Sequence, residues 1–384
     1  MEHPSKHLYD VIIVGAGPAG ATLGYELTRE GLDVLILEKD RLPRYKTCAG
    51  GITVKAAELL DLDISPVVQH TVYGFRVKYK NKKEFTRWYD QPLIYMVMRD
   101  EFDHFLVQRA QATGAVVADD QRVSRLQVTF EGVEVLTDQD VFTTRILVGA
   151  DGARSIVAEN LGLMTGTRFG VGMEAEIAVS KEKLAEWDSL AGLSIGHIRG
   201  GFGWVFPKKD HLSVGIGGSL RQAKRLKSRY REVLASHDLG SHEIIKLRSH
   251  YLPVRRNGAA IQCERSLLIG DAAGLVDPFT GEGIYNAVKS ACIAAPIIIQ
   301  SLQTDNVDLT GYQEAVDREL MPELKASRAF SKIYTWFPGL YFDAVKGSDR
   351  LWRAHCRVLR GERSYVSIKK KLGVFQFLVD LFSR

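Results

Sequence analysis

The sequence predicts an α/β protein, α+β overall, on three observations. Residues 9–39 form a strand, glycine turn, helix and strand in order; the middle is strand-rich and punctuated by glycine; the end reads as helix alone. The first carries the most information. Val11-Ile12-Ile13-Val14 is a short β-branched apolar run, the pattern of a buried parallel strand. Gly15, Ala16, Gly17 and Gly20 follow in G-x-G-x-x-G spacing. The first glycine permits the tight turn, the second lets backbone approach a pyrophosphate, and the third lets the next helix pack on the strand. That helix, over residues 19–30, aims its N-terminal N–H groups at the phosphates. Gly31 caps it, and a second strand over residues 34–37 leads to Glu38 and Lys39. An acid there accepts hydrogen bonds from a ribose 2′-OH and disfavours a 2′-phosphate. A lone glycine triplet is only a turn, but the full order points to a Rossmann-like site for an adenine dinucleotide without the extra phosphate.

The rest of the chain is consistent with that start. Residues 41–51 read as a loop and 54–60 as a helix. Alternation over residues 72–89 around Lys80-Asn81-Lys82 predicts a hairpin, and a helix runs from Arg99 to about Thr113. Strands follow at 115–117, near Val123 to Val128, near Val133 and Val141, and into Ile146-Leu147-Val148-Gly149. Residues 170–218 are strand-like around a helix at 181–188, and a helix follows at 221–236. Ser266-Leu267-Leu268-Ile269 is a buried strand, residues 283–302 a helix, and everything beyond Leu309 helical. With no repeat or clean linker, the expectation is a nucleotide domain of discontinuous segments, 1–65, 96–168 and 260–308. A β-rich substrate domain, 66–95 and 169–259, is inserted into it, and a helical region, 309–384, follows.

Bulk properties narrow the class. A chain of 384 residues, 45% hydrophobic and 25% charged, has the composition of a globular protein with a sizeable core. The first apolar run is already the nucleotide strand, so no signal peptide is expected, and no apolar stretch is long enough to span a bilayer. Four scattered cysteines without a CxxC pair suit a reducing cytoplasm rather than a zinc site or secreted scaffold. The ten histidines show no metal spacing, and no nucleic-acid partner is expected. The net charge of +5 resides in residues 341–384, with ten Lys or Arg against four acids. There Lys369-Lys370-Lys371 precedes a run rich in Leu, Val and Phe, which fits a solvated helix face, a docking helix or an anchor on anionic lipid.

Two further motifs sit at strand ends: Ala150-Asp151-Gly152-Ala153-Arg154-Ser155 and Leu268-Ile269-Gly270-Asp271-Ala272-Ala273. Either alone is turn chemistry. In this order behind a dinucleotide turn they resemble the signature of the flavoproteins that include p-hydroxybenzoate hydroxylase, squalene epoxidase and geranylgeranyl reductase. The resemblance covers residues 7 to about 300. It implies FAD rather than NAD, with Asp271 on the ribityl chain, Arg99 near the diphosphate and backbone near Val123 on the adenine. The helix after Asp277 begins at Gly283 and Ile284, and its N-terminus would stabilise negative charge on a reduced isoalloxazine.

Two stretches narrow the resemblance to geranylgeranyl reductases. Cys48-Ala49-Gly50-Gly51 is similar to their CxGG motif. Phe202-Gly203-Trp204-Val205-Phe206-Pro207, followed by Gly215-Ile216-Gly217, is similar to their YxWxFP…GxG signature, with Phe202 where the family usually has Tyr. At period two, Phe202, Trp204 and Phe206 share one strand face and become candidates for the substrate wall. Cys48 is either a small residue in a loop passing close to the flavin or a redox or substrate-positioning thiol. Sequence alone supports no disulfide between Cys48 and Cys263. The implied reaction saturates C=C bonds of a geranylgeranyl or other polyprenyl chain by hydride transfer from flavin with protonation, and no proton donor is assigned. No second dinucleotide turn is present, so NAD(P)H visits transiently or a reduced ferredoxin-like carrier donates electrons. A polyprenyl lipid or prenyl diphosphate substrate would place the protein in the cytoplasm with peripheral membrane contact through residues 341–384. The competing readings are an FAD-dependent monooxygenase of an apolar substrate and a non-catalytic flavin-bound lipid carrier.

Overall fold

The computed structural model describes residues 7–80, 82–304 and 307–371. Its organising element is a parallel sheet in the order Ser266–Leu268, Val141–Gly149, Leu8–Val14, Val34–Leu37, Val116–Ala118. Continuous Val/Ile/Leu runs occupy its centre, as sheets covered on both faces require. Val11, Ile12, Ile13, Leu35, Ile36, Ile146, Leu147 and Val148 are all buried. Helix Pro18–Arg29 lies on this sheet between helices Arg99–Ala112 and Ile284–Leu302. A meander of Val123–Val128 and Val133–Thr137 extends Val141–Gly149 antiparallel.

The second sheet has seven strands, ordered Ile244–Val254, Arg168–Ala178, His211–Ser219, Phe202–Pro207, Leu190–Ile195, Gly74–Tyr79, Lys83–Trp88. One face buries Ala175, Ile177, Val205, Val214 and Ile216 in a cluster with Leu226, Tyr230, Val233 and Leu234 of helix Ala223–Ser236. The other face, carrying Glu174, Glu176, Phe202, Trp204, Phe206, Ser213 and Gly215, looks toward the nucleotide domain. The sheet departs from the antiparallel expectation at one ladder, where Leu190–Ile195 runs parallel to Gly74–Tyr79. These strands come from distant parts of the chain, so no hairpin turn constrains their direction.

A small sheet of Gly51–Thr53, Ile94–Val97 and Val68–Val72 joins the two bodies. Strand Gly51–Thr53 is three residues long, too short for the alternation that marks a strand in sequence. Beyond Leu309 the described chain is helical, with helices Thr310–Glu319, Met321–Trp336, Pro338–Gly347, Asp349–Leu359 and Tyr365–Lys370. Pro338 supplies the fixed φ of a first helical turn and ends the preceding helix. Tyr334, Phe342, Val345 and Trp352 of this region complete a core with Phe75, Val77, Ile94 and Ala191. Most of the basic apolar segment, residues 372–384, lies outside the described residues. No described helix is long and apolar enough to cross a membrane.

Candidate functional site

The glycine turn is built for a phosphate group. Gly15 has φ +108°, and a Cβ there would lie 2.4 Å from the Ala150 carbonyl oxygen; a Cβ on Gly20 would lie 1.9 Å from the Gly15 carbonyl oxygen. Both are therefore needed by the protein itself, for the turn and for helix-to-strand packing. Gly17 differs: its φ is −83°, and a Cβ would meet nothing nearer than the Arg44 guanidinium at 3.9 Å. The open space over Gly17 leads to helix Pro18–Arg29.

Glu38 is buried at the end of its strand and accepts from the Ala16 N–H at 3.1 Å. Arg44 holds Glu38 at 3.1 Å with one nitrogen and Asp103 at 2.8 Å with another. Arg99 makes a two-pronged bond to the same Asp103, at 2.7 and 2.8 Å. The Gln121 N–H donates to the Glu38 carbonyl at 2.8 Å, which brings the buried Val123 end of its strand to the same edge. Arg44 lay in a stretch that reads as loop, and only the spacing of its partners in space reveals it. Removing the guanidinium leaves buried Glu38 and Asp103 short of a cation. Arg44→Ala is expected to lose about 3 kcal/mol, measured as a lowered thermal midpoint.

Lys46 sits deeper. Burial lowers its pKa, reinforced by Arg99, Arg44 and Lys39, with only Asp271 among the main influences opposing. Burial raises the Asp271 carboxyl, against the pull of Lys46 and Arg99. Lys39, Arg44, Lys46 and Arg99 converge near the N-terminus of helix Pro18–Arg29, Arg44 and Arg99 already paired with Glu38 and Asp103 and Lys46 facing Asp271, a donor set that fits a dinucleotide diphosphate. Asp271 also approaches the Gly283 cap of helix Ile284–Leu302, 3.2 Å from where a Cβ would stand. The residues present thus fit FAD, whose diphosphate would lie over Gly15 to Gly20 near Arg99, with Glu38 toward a ribose and Gly283 and Ile284 toward the far end. Asp151 contributes differently. Its carboxylate accepts from Ser155 Oγ at 2.6 Å and from the N–H groups of Ile156 and Val157 at 2.7 and 3.3 Å. The side chain therefore caps helix Ile156–Asn160, and backbone at Ala150 and Asp151 is what faces Gly15.

The face of the seven-stranded sheet turned away from helix Ala223–Ser236 forms the second half of the site. Trp204 and Glu174 both register with Gly215, Phe202 and Gly172 with Gly217, and Phe206 and Glu176 with Ser213. Opposed residues share a face, so these are rows running across the sheet. The glycines have a steric purpose: a Cβ on Gly215 would come within 2.1 Å of the Trp204 indole, and one on Gly217 within 3.5 Å. The ring lies across the GxG strand.

The Cys48–Gly51 loop crosses the same face. Lys246 lies over the Tyr45 ring at 3.6 Å, and a Cβ on Gly51 would touch Phe206 at 3.2 Å. The buried Lys208 ammonium donates to the Ala49 carbonyl at 2.7 Å and the Val97 carbonyl at 2.9 Å. Gly50, with φ +65°, is the position where a side chain would strike Val97 and Lys208. Cys48 and Cys263 are both free thiols.

Sequence reasoning missed the acids in this wall. Glu174 is fully buried, and neither of its oxygens makes a well-formed hydrogen bond among the described residues. Burial and then Glu176 push its pKa up to about 7, opposed by the Cys48 backbone N–H, Lys208 and Arg99. Burial brings Lys208 down to about 8 against the pull of Glu176, Cys48 and Glu174. His211 stands 3.0 Å from Glu176, and the two carboxylates Glu176 and Asp210 hold its pKa above the ordinary value despite burial. The Trp204 indole N–H is likewise buried and unpartnered among the described residues. The signal available in sequence was alternation: Glu174 and Glu176 occupy alternate positions in the stretch Gly170–Ala178, whose other residues are Gly, Val, Met, Ala and Ile.

Comparison with known proteins agrees with this geometry. The FAD binding domain family matches residues 8–315. An uncharacterized protein of Methanosarcina barkeri is 33% identical over 89% of this chain and 87% of its own. A digeranylgeranylglycerophospholipid reductase of Methanocaldococcus jannaschii is 27% identical over 78% and 79%. Among solved structures, a geranylgeranyl bacteriochlorophyll reductase-like protein from Thermoplasma acidophilum superposes with TM-score 0.77 at 22% identity, covering 86% of this chain and 88% of that one. The flavin-dependent brominase Bmp2 superposes with TM-score 0.76 at 19% identity, covering 97% and 99%, so the fold alone does not select the reaction. With its glycine turn, its buried Glu38 and its match over most of its length, the chain belongs to the FAD binding domain family of flavoprotein oxidoreductases, in the company of the geranylgeranyl reductases.

Proposed function

We propose that the protein is an FAD-dependent reductase that saturates C=C bonds of a geranylgeranyl or other polyprenyl chain. The observation that carries this reading is the face of the second sheet that bears Phe202, Trp204 and Phe206, where Trp204 shares its row with the buried Glu174. Reduced FAD, when bound, supplies hydride. Everything else falls to the chain's own residues. The glycine turn, Glu38, Arg44 and Arg99 bind and orient the cofactor. The aromatic wall holds an apolar chain and excludes water, which an isolated alkene requires because it offers no polar handle. Glu174, half-protonated near pH 7, holds the proton that the second carbon must receive. The Cys48–Gly51 loop, pinned by Lys208, closes the wall on the cofactor side. NAD(P)H or a reduced ferredoxin-like carrier is the proposed electron source. Phe202, lacking a hydroxyl, serves as wall.

The test is direct. The purified flavoprotein is reduced with dithionite without oxygen and mixed with geranylgeranyl diphosphate or a prenylated glycerophospholipid, and products are weighed by mass spectrometry. Products heavier by pairs of hydrogens support the reading and rank the substrates. Unchanged lipid, with oxygen incorporated once air and NADPH are admitted, makes the protein a monooxygenase instead.

A further inference from the structure

Glu174 is fully buried, so a proton it gives up must be replaced through the protein. The strand that carries it points to where the replacement enters. Glu176, two residues on, is the next side chain on the same face. Ser213 stands opposite Glu176, and His211, two residues before Ser213, is its diagonal neighbour, within reach of a long side chain. His211 Nε2 stands 3.0 Å from a Glu176 carboxylate oxygen, and His211 Nδ1 stands 2.6 Å from the Asp210 carboxylate. Exposure rises in the same order: Glu174 is 0% exposed, and the side chains of Glu176, His211 and Asp210 are 8%, 13% and 83% exposed. The four groups thus run from the aromatic wall to solvent.

The chemistry of the middle group suits the position. Burial lowers the His211 pKa, but hydrogen bonding and charge from Glu176 and Asp210 outweigh it and raise the value, so both forms of the imidazole are accessible near neutrality. Neither His211 Nε2 nor its Glu176 oxygen has a well-formed hydrogen bond among the described residues, and a small turn of the imidazole would make their 3.0 Å approach into one. The other titratable groups here are engaged elsewhere. Lys246, in register with Glu176, lies over the Tyr45 ring at 3.6 Å. The buried Lys208 ammonium donates to the Ala49 and Val97 carbonyls. Burial, then Glu174 and Glu176, hold the Tyr45 pKa well above its ordinary value, so that hydroxyl keeps its proton. Arg248, in register with Glu174, is a permanent cation.

We propose that Asp210, His211 and Glu176 form a relay that recharges Glu174 with protons from solvent, an inference that rests on the reading of Glu174 as proton donor. A solvent proton taken up by the Asp210 carboxylate passes to His211 Nδ1. The Nε2 proton of the resulting imidazolium passes to Glu176, and Glu176 hands its proton to the Glu174 carboxylate. Each relay group gives up one proton for the one it takes, so only Glu174 changes charge. The imidazole then carries its proton on Nδ1 and returns to its first tautomer by exchange with the solvent that reaches its edge. His211 and Glu176 are positioning residues in this scheme: they act on the substrate only through Glu174.

In the full-length flavoprotein, a rapid drop from alkaline to mildly acid pH is followed by the infrared band of the protonated Glu174 carboxyl, identified by its absence in Glu174→Gln. This readout needs no turnover. His211→Phe is expected to gain the band at least tenfold more slowly than the wild type. His211→Gln, whose amide keeps a polar contact to Glu176 but passes no proton, is expected to do the same, and so is Glu176→Gln. Free imidazole in the buffer is expected to restore the rate of His211→Ala in proportion to its concentration and to leave Glu176→Gln slow. A histidine that only supports the strand would not be replaced in this way. The proposal is overturned if the histidine variants or Glu176→Gln gain the band at the wild-type rate, if imidazole restores nothing, or if the wild type shows no band that depends on Glu174. Slowing and rescue in a protein that leaves every prenyl lipid unchanged would keep the relay and remove the reductase reading.

Discussion

Gly17→Ala is expected to fold with an unchanged thermal midpoint and to lose its flavin. The backbone at Gly17, at φ −83° and ψ −175°, is one that alanine adopts freely. The added methyl meets nothing within the protein closer than Arg44 at 3.9 Å. Any penalty must therefore come from what lies over the turn when the cofactor is bound. A methyl at the point of closest backbone approach to a diphosphate is expected to weaken FAD at least tenfold, about 1.4 kcal/mol. The measurement is the ratio of flavin to protein absorbance after purification, followed by titration of the apoprotein with FAD. Gly15→Ala is the contrast. At φ +108°, and 2.4 Å from the Ala150 carbonyl oxygen, its methyl cannot be accommodated without breaking the parallel ladder, so stability and flavin are lost together. Gly31→Ala controls for backbone strain alone: φ is +79° and the surroundings are empty, so a loss of about 1 kcal/mol with full flavin is expected. A Gly17→Ala protein that retains stoichiometric flavin would remove the dinucleotide from this turn.

The division between what was legible and what was not follows from the range of each constraint. The glycine turn, Glu38, and the strands at Val11, Val34 and Ile146 were readable because each is fixed within about ten residues by periodicity or backbone conformation. The helices from Arg99 and to Leu302 were readable for the same reason. Arg44 was not, because its two partners, Glu38 and Asp103, are brought to it by different elements. The GxG pair was readable as a motif but not as a mechanism. Only strand register shows that Gly215 is small so that the indole of Trp204 has somewhere to lie. Glu174 was missed because a carboxylate in a strand ordinarily means a solvated face. Here that face is covered by residues 45–51, which the sequence places more than a hundred positions away. The parallel pairing of Leu190–Ile195 with Gly74–Tyr79 is a further long-range fact that local alternation cannot carry.

Glu174→Gln carries the largest expected effect on turnover, because it tests the carboxyl that shares a row of the aromatic wall with Trp204 and whose pKa is raised to about 7 by burial. With a pKa raised to about 7, chiefly by burial, the wild-type carboxyl is protonated below that value and ionised above it. If the protonated form is required, reduction of the prenyl chain is fast in mild acid and falls as pH rises through about 7. The amide variant cannot donate, so its rate is expected to be lower by roughly 10²–10⁴-fold and to lose that pH limb. Stability moves the other way. A carboxyl whose folded pKa lies above its ordinary 4.5 contributes stability fully below that value and loses it as pH rises through about 7. Glutamine has no such loss, so at pH 8 the variant is expected to unfold at a higher denaturant concentration than the wild type, by at most about 3 kcal/mol. At pH 4 the difference should largely vanish. A third readout does not depend on turnover: Trp204 shares its row with Glu174 through Gly215, so wild-type tryptophan fluorescence should titrate near pH 7 and the variant's should not. An unchanged pH limb in the variant would transfer the proton to Glu176 or to the neighbouring His211, 3.0 Å from it. Loss of both the pH limb and the fluorescence titration, with a more stable protein at pH 8, would be hard to obtain from any residue but Glu174.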